Sequence, residues 1–420
     1  MTVSTKMFAD QMLNRFSQLN EEIQLRQTQV STGKEITQAS DKPIEAVKLS
    51  AMEERVTQLS GFQRNVATAQ ERLTMADTTL ENVDSIMIQM RERVIAANND
   101  TFSEPDLDAI RVEVNELRDT LVGLANTRTP DGQALFGGYN TDLQPFREEA
   151  DGRVTYLGDG GQHTLAASES MRLPTSVNGG EVFMQISTDA GSKSLFDIVD
   201  SFIASLSTAA THEDTLVATE REGMSLRINA DRTPREWSFV LSGPEGSVSI
   251  TAANVVDGSH SGIAEAINAR TFETGVTAIV NEGHLKLTST TGEISLSDLM
   301  VEGVDLASKE PPFTITTGGN PAATMVPKAQ TLSAQLSKIV DAGQDIAISR
   351  TTVGARLQRA EVQEEVLASR SVTLQSQVNE MSAADLEKVI TELQSLLMTQ
   401  NAARQAYSQI GQTTLFDYLK

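Results

Sequence analysis

Between Leu59 and Ala97 apolar residues recur at alternating steps of three and four: Leu59, Phe62, Val66, Ala69, Leu73, Ala76, Leu80, Val83, Met87, Met90, Val94 and Ala97. The residues between them are mostly Gln, Glu, Arg, Asn, Asp and Thr. A 3.5-residue period held beyond three or four heptads predicts a coiled-coil seam. At 1.5 Å per residue the rod would be about 60 Å long. From Leu332 the same register returns with Leu336, Ile339, Ile346, Val353, Leu357, Ala360, Leu367, Leu374, Val378 and Met381. Gly343, Arg350, Glu364 and Ser371 interrupt it. Two long matching helices near opposite ends of a chain predict a molecule that folds back on itself.

The ends carry shorter stripes. Met12, Phe16, Leu19 and Ile23 form one, continuing to Val30. Leu386, Val389, Leu393, Leu396, Tyr407 and Ile410 form the other, widened by Ile390 and Leu397. Two helices alone leave such stripes partly open to water, and short helices are marginal by themselves. The expectation is that neighbouring subunits complete them, and that the ends gain order on assembly.

Gly33 and Pro43 break the helical text between the first stripe and the rod, with Ser40 or Asp41 as the expected cap and Pro43 in the first turn. A turn near 98–104 precedes a return helix capped by Ser103, with Ile110, Val114, Leu117, Leu121 and Leu124 on one stripe. It ends near Thr129-Pro130-Asp131-Gly132. Beyond Gly138 the period switches to alternating, turn-rich text that reads as short strands, interrupted by one helix at 194–206. Residues 222–320 are strand-like again around one helix, G-I-A-E-A-I-N-A-R. The expected class is α+β multidomain, with a long antiparallel helical bundle from both chain ends and β-rich domains inserted centrally. The expected parts are terminal axial helices at 1–35 and 385–420 and a rod bundle at 36–137 and 328–384. A β-rich domain at 138–193, a helix and linker at 194–221, and a β-rich insert at 222–327 complete them.

A net charge of −23 across 420 residues argues against nucleic acid or an anionic membrane as partner. There is no cysteine, hence no disulfide or thiolate metal site. No run of eighteen apolar residues is present, and the first residues lack a basic-then-apolar leader with a cleavage site. The expected chemistry is equally bare. Thr32-Gly33-Lys34 lacks the upstream Gly and following Ser or Thr of a phosphate loop. His212-Glu213 begins like a zinc-protease helix, but position 216 is Leu216. His163, His260 and His284 stand alone and read as surface residues. No catalytic, metal or cofactor residue is expected, and a structural part is favoured over an enzyme.

S-T-G-K-E-I-T-Q-A-S-D-K-P-I-E-A (31–46) resembles the turn that ends the first helix of bacterial flagellins and their relatives. V-G-A-R-L-Q-R-A-E (353–361) and the tail from Asp385 to Lys420 resemble the family's C-terminal helices. L-F-G-G-Y-N-T-D-L-Q-P-F (135–146) is similar to the signature of the hook-associated protein 3 branch, at the hook–filament junction, rather than to ordinary flagellin. The resemblance covers about residues 1–206 and 328–420. Similar junction proteins pass quickly from the 194–206 helix to the C-terminal rod, whereas here roughly 120 residues intervene. Part of them, 261–290, resembles a strand–helix–strand module that decorates some flagellins and hook-associated proteins.

The resemblance implies a non-catalytic subunit joining hook, through hook-associated protein 1, to the flagellin filament; a bulk flagellin is the alternative. It further implies self-association in a ring, an export chaperone on the C-terminal segment, and an extracellular destination reached through the flagellar channel without a cleaved signal. The terminal stripes, from Met12 to Ile23 and Leu386 to Ile410, are the expected axial packing surface.

Overall fold

The structure is a computed structural model, and it describes residues 2–40, 42–99, 102–189, 191–218, 223–230, 232–257, 260–281, 283–303, 313–318 and 322–412. Helix α1 spans Thr2–Thr32, α2 Pro43–Ala97 and α3 Glu104–Ala125. The chain then makes strands β1 (Phe146–Glu148), β2 (Val154–Tyr156), β3 (Thr164–Ala166) and β4 (Arg172–Pro174). Helix α4 (Gly179–Met184), strands β5 (Ile186–Thr188) and β6 (Gly191–Lys193), and helix α5 (Leu195–Leu206) follow. The insert holds β7 (Thr215–Ala218), β8 (Met224–Asn229), β9 (Arg235–Gly243) and β10 (Gly246–Val255). Helices α6 (Ser261–Asn268) and α7 (Thr271–Thr274) come next, then β11 (Val276–Asn281), β12 (His284–Ser289) and β13 (Ile294–Val301). It closes with β14 (Thr314–Thr317) and β15 (Thr324–Met325), and the chain returns through α8 (Leu332–Ser382) and α9 (Leu386–Gln412). The α+β class expected from the sequence is the class observed.

Two compact units divide the chain: residues 1–67, 166–171 and 361–420, and residues 68–165 and 172–360. In the second unit the seam is as the spacing requires. Leu73, Leu80, Val83, Met90 and Val94 are wholly buried on α2, as are Ala342 and Ile346 on α8, with Ile339 and Val353 almost so. Arg350 binds Asp77 at 3.2 Å and Glu81 at 3.2 Å, and Gly343 lies opposite Met87, so the two helices run antiparallel. The polar interruption at Arg350 is therefore a bridge across the seam rather than a gap in it.

Helix α3 returns along the rod from a capping box in which Ser103 and Asp106 exchange hydrogen bonds. The first rod helix differs at its start: Lys42 occupies the cap position, its carbonyl accepting from Ala46 N at 2.8 Å, while Pro43 fills the first turn as expected. Asp41 lies outside the described residues. Helix α5, capped by the Ser194 hydroxyl, is buried on all sides, and its Phe196 and Phe202 are fully covered. Short α4 falls in text that reads as strands alone, its Asn178 cap holding Gly180 N.

One buried cation joins these pieces. Arg118 stands where the α3 stripe repeats, and its Nε donates to Asp200 of α5 at 2.6 Å. Its Nη1 donates to Glu148 at 2.9 Å and its Nη2 to the Gly152 carbonyl at 2.5 Å. Burial opposes the charge, but the Asp200 and Glu148 carboxylates outweigh it and hold the guanidinium above its ordinary value.

The insert is built from two sheets, ordered β10-β9-β13-β7 and β11-β12-β8-β14-β15, with α6 packed on β10 and β11. Their inner faces share a core of Trp237, Phe239, Leu226, Leu287, Leu296 and Phe313.

Replacing Arg118 with Met leaves Asp200 buried without its cation, so unfolding of this unit in urea should move by about 3–5 kcal/mol. Replacing Asp200 with Leu in the same chain should recover most of that loss.

Candidate assembly surface

In the first unit the terminal helices pair with each other. Just past α1, Gly33 takes a positive φ of 67°, which frees the chain to turn. Glu35 N donates to Ser382 O at 2.8 Å and Ala384 N to Gly33 O at 2.9 Å, so the exit of α1 is stitched to the junction of α8 and α9. Moving outward, Arg26 meets Glu392 at 3.1 Å, Gln400 Nε2 donates to Asn20 Oδ1 at 2.6 Å, and the Phe16 and Tyr407 rings meet edge-on at 6.3 Å. Falling numbers on one helix against rising numbers on the other make the pair antiparallel. Lys42 is drawn to Glu35 at 2.6 Å and to Glu45 at 3.1 Å, which raises its pKa and ties the linker to the start of α2. Farther along this unit, Ala166 O accepts from Asn65 of α2 and Ala167 O from Gln363 of α8, so the tip of the β3–β4 hairpin braces both helices.

Ile23 and Val389 are buried in the α1–α9 pair, while Met12, Phe16, Leu19, Leu393 and Leu396 are half-buried. Leu386 and Tyr407 are 44% and 43% exposed despite their place in the stripe, because two helices have only one shared face. Ile410 lies in α9, and its side chain falls outside the described residues. The spacing missed Leu13 at 63%, beside Met12, and Met398 at 73%, beside Leu397, and also Ile44 and Val47 on the first turns of α2 in the same unit. The signal for Leu13 and Met398 was the width of the stripes, apolar at consecutive residues where one seam needs a single column. What this surface offers is apolar area and helical register.

The histidines fall elsewhere. His212 reaches Asp214 at 3.3 Å beside a polar cavity of about 560 Å³ that Asn98, Glu213 and Thr331 also line. His163 meets the Tyr139 ring edge-on, and His284 is exposed on β12. His260 corrects the surface reading: it is buried at the start of α6, its Nε2 within 2.9 Å of the Gly283 carbonyl. Among the described residues no group of acidic and histidine side chains is spaced to hold a metal, and no helix is long and apolar enough to cross a membrane.

Residues 3–141 match the bacterial flagellin N-terminal helical region. The first third of this chain is therefore similar to a flagellin-type helical region. Residues 238–291 match the flagellin hook IN motif, within the insert. Flagellar hook-associated protein 3 of Escherichia coli (strain K12) is 29% identical over 216 residues, which is 50% of this chain and 67% of that protein. Its counterpart in Salmonella typhimurium is 26% identical over the same shares. A flagellin of Clostridium tyrobutyricum is 29% identical over 151 residues, 35% of this chain and 39% of its own length. The flagellar junction protein FlgL from Legionella pneumophila is 18% identical, with a TM-score of 0.44 over 80% of this chain and 99% of that one. The resemblance carried by the motifs at 31–46 and 135–146 is borne out.

Replacing Ile23 with Asp should unpair the terminal helices and lower far-ultraviolet helicity. The single tryptophan, Trp237, is buried in the insert, so its emission should stay unchanged.

Proposed function

We propose that this chain is a structural subunit of the bacterial flagellum, seated between hook and filament. The observation that carries the reading is the α1–α9 pair. It has the antiparallel helical form of a flagellin-type terminal region, yet leaves Leu13, Leu386, Met398 and Tyr407 in water. Such a face is finished by helices of other subunits. Burying it at about 25 cal/mol per Å² of apolar area supplies most of the assembly free energy. The residues in the axial contact are Met12, Phe16, Leu19, Ile23, Leu386, Val389, Leu393, Leu396, Tyr407 and Ile410.

In this reading copies form a ring, with hook-associated protein 1 on one side and flagellin on the other. The C-terminal stripe, open before assembly, is held by an export chaperone. The chain leaves the cell through the flagellar channel without a cleaved signal and performs no catalysis. Residues 222–327 form an outer domain on the assembled surface. Similarity to hook-associated protein 3 over two thirds of its length, against 39% of a flagellin's, favours the junction over bulk filament.

A strain lacking the gene should show bare hooks by electron microscopy and abundant flagellin in the medium. Filaments merely shortened would favour the flagellin reading. Replacing Leu393 and Leu396 with Asp should abolish incorporation while Trp237 keeps its native emission. Normal swimming in that strain would refute the proposed surface.

A further inference from the structure

The two sheets of the insert end on four strands, β10 and β7 in one and β11 and β15 in the other. An edge strand presents unpaired N–H and C=O groups on which another chain can add a strand. Three of these edges are blunted by shape. Strand β10 breaks register between Ala252 and Val255, where Asn254 takes a φ of 58°. Strand β7 is four residues long and β15 only two.

Strand β11 has no such device. Its six residues, V-T-A-I-V-N, carry no charge and no proline, and Ile279 is 62% exposed. Such an edge is self-complementary, because two copies related by a two-fold axis can pair it antiparallel with itself. What occupies its middle is one side chain. Asn268, the last residue of α6, accepts from Ala278 N at 2.8 Å through Oδ1 and donates to Ala278 O at 2.8 Å through Nδ2. The N–H and C=O of one residue in an antiparallel strand point the same way. Ala278, opposite Leu287, therefore turns both groups away from β12 and toward the free side. On that same side, Val276 N is taken by the Thr274 hydroxyl at 3.2 Å.

We propose that Asn268 is an edge plug: its amide imitates the peptide group of a neighbouring strand and closes β11 to strand addition by a second copy of this chain. The middle of the edge is occupied, and the residues beyond Ala278 are too few to hold a partner alone. The proposal stands apart from any place in a flagellum.

The test is sedimentation velocity of the full chain at rising concentration, with Leu393→Asp and Leu396→Asp present throughout to silence the terminal stripes. Asn268→Ala should strengthen self-association at least about tenfold over this parent, with Trp237 emission unchanged. Adding Val280→Pro, which removes a donor from the same free side, should return the protein to monomer. An Asn268→Ala chain no more associated than the parent overturns the proposal. So does an Asn268→Ala, Val280→Pro chain that associates as strongly as Asn268→Ala alone, since the contact would then lie elsewhere or follow from unfolding. If Asn268→Ala also shifts Trp237 emission, the proline variant decides on the same terms.

Discussion

Everything between the turn after α2 and the start of α8 hangs on the antiparallel seam those two helices make. Leu73, Leu80, Val83, Met90 and Val94 on one side, with Ile339, Ala342, Ile346 and Val353 on the other, close a loop of well over two hundred residues. Closing a loop costs conformational entropy that grows only with the logarithm of its length. Once the seam is strong enough to close a short excursion, a long one costs little more. That asymmetry makes a sizeable insert compatible with a rod whose own sequence is devoted to heptads.

The two classes of element meet the problem of unfinished surface in opposite ways. The terminal helices leave apolar residues such as Leu13 and Met398 in water, which suits a part meant to be completed by others. The insert buries its apolar faces internally around Trp237 and Phe313 and closes its edges by a bulge, by short strands and by one asparagine. In the assembly proposed above both behaviours have a use: adhesion where register is set by helices, and reserve where strands could pair without register.

The rods were legible because one physical pattern fills them. A seam residue must be apolar every three or four positions, and Val66, Ala69 and Leu73 are wholly buried as that pattern requires. Arg350 looked like an interruption because a one-dimensional pattern cannot show that Asp77 and Glu81 stand opposite. Arg118 escaped for the same reason: it occupies a stripe position, but its partners lie 30 and 82 residues away. His260 read as a surface residue because it has no helical partner three or four residues away in sequence, whereas the Gly283 carbonyl it meets arrives from another turn. At the assembly surface the stripe was readable and its division was not. Which apolar residues meet inside the pair and which stay open, as Leu386 and Tyr407 do, depends on a helix rotation that spacing leaves free.

The insert leaves and rejoins its host at almost one point. Glu213 N donates to Thr324 O at 2.9 Å, and His212 and Thr324 form a parallel bridge, so the outgoing and returning strands are neighbours. A segment whose two ends lie side by side can be lengthened, shortened or exchanged without moving the helices that bear its load. The rod helices can therefore stay as they are while the insert between them changes freely, as a plug can be changed without altering its socket.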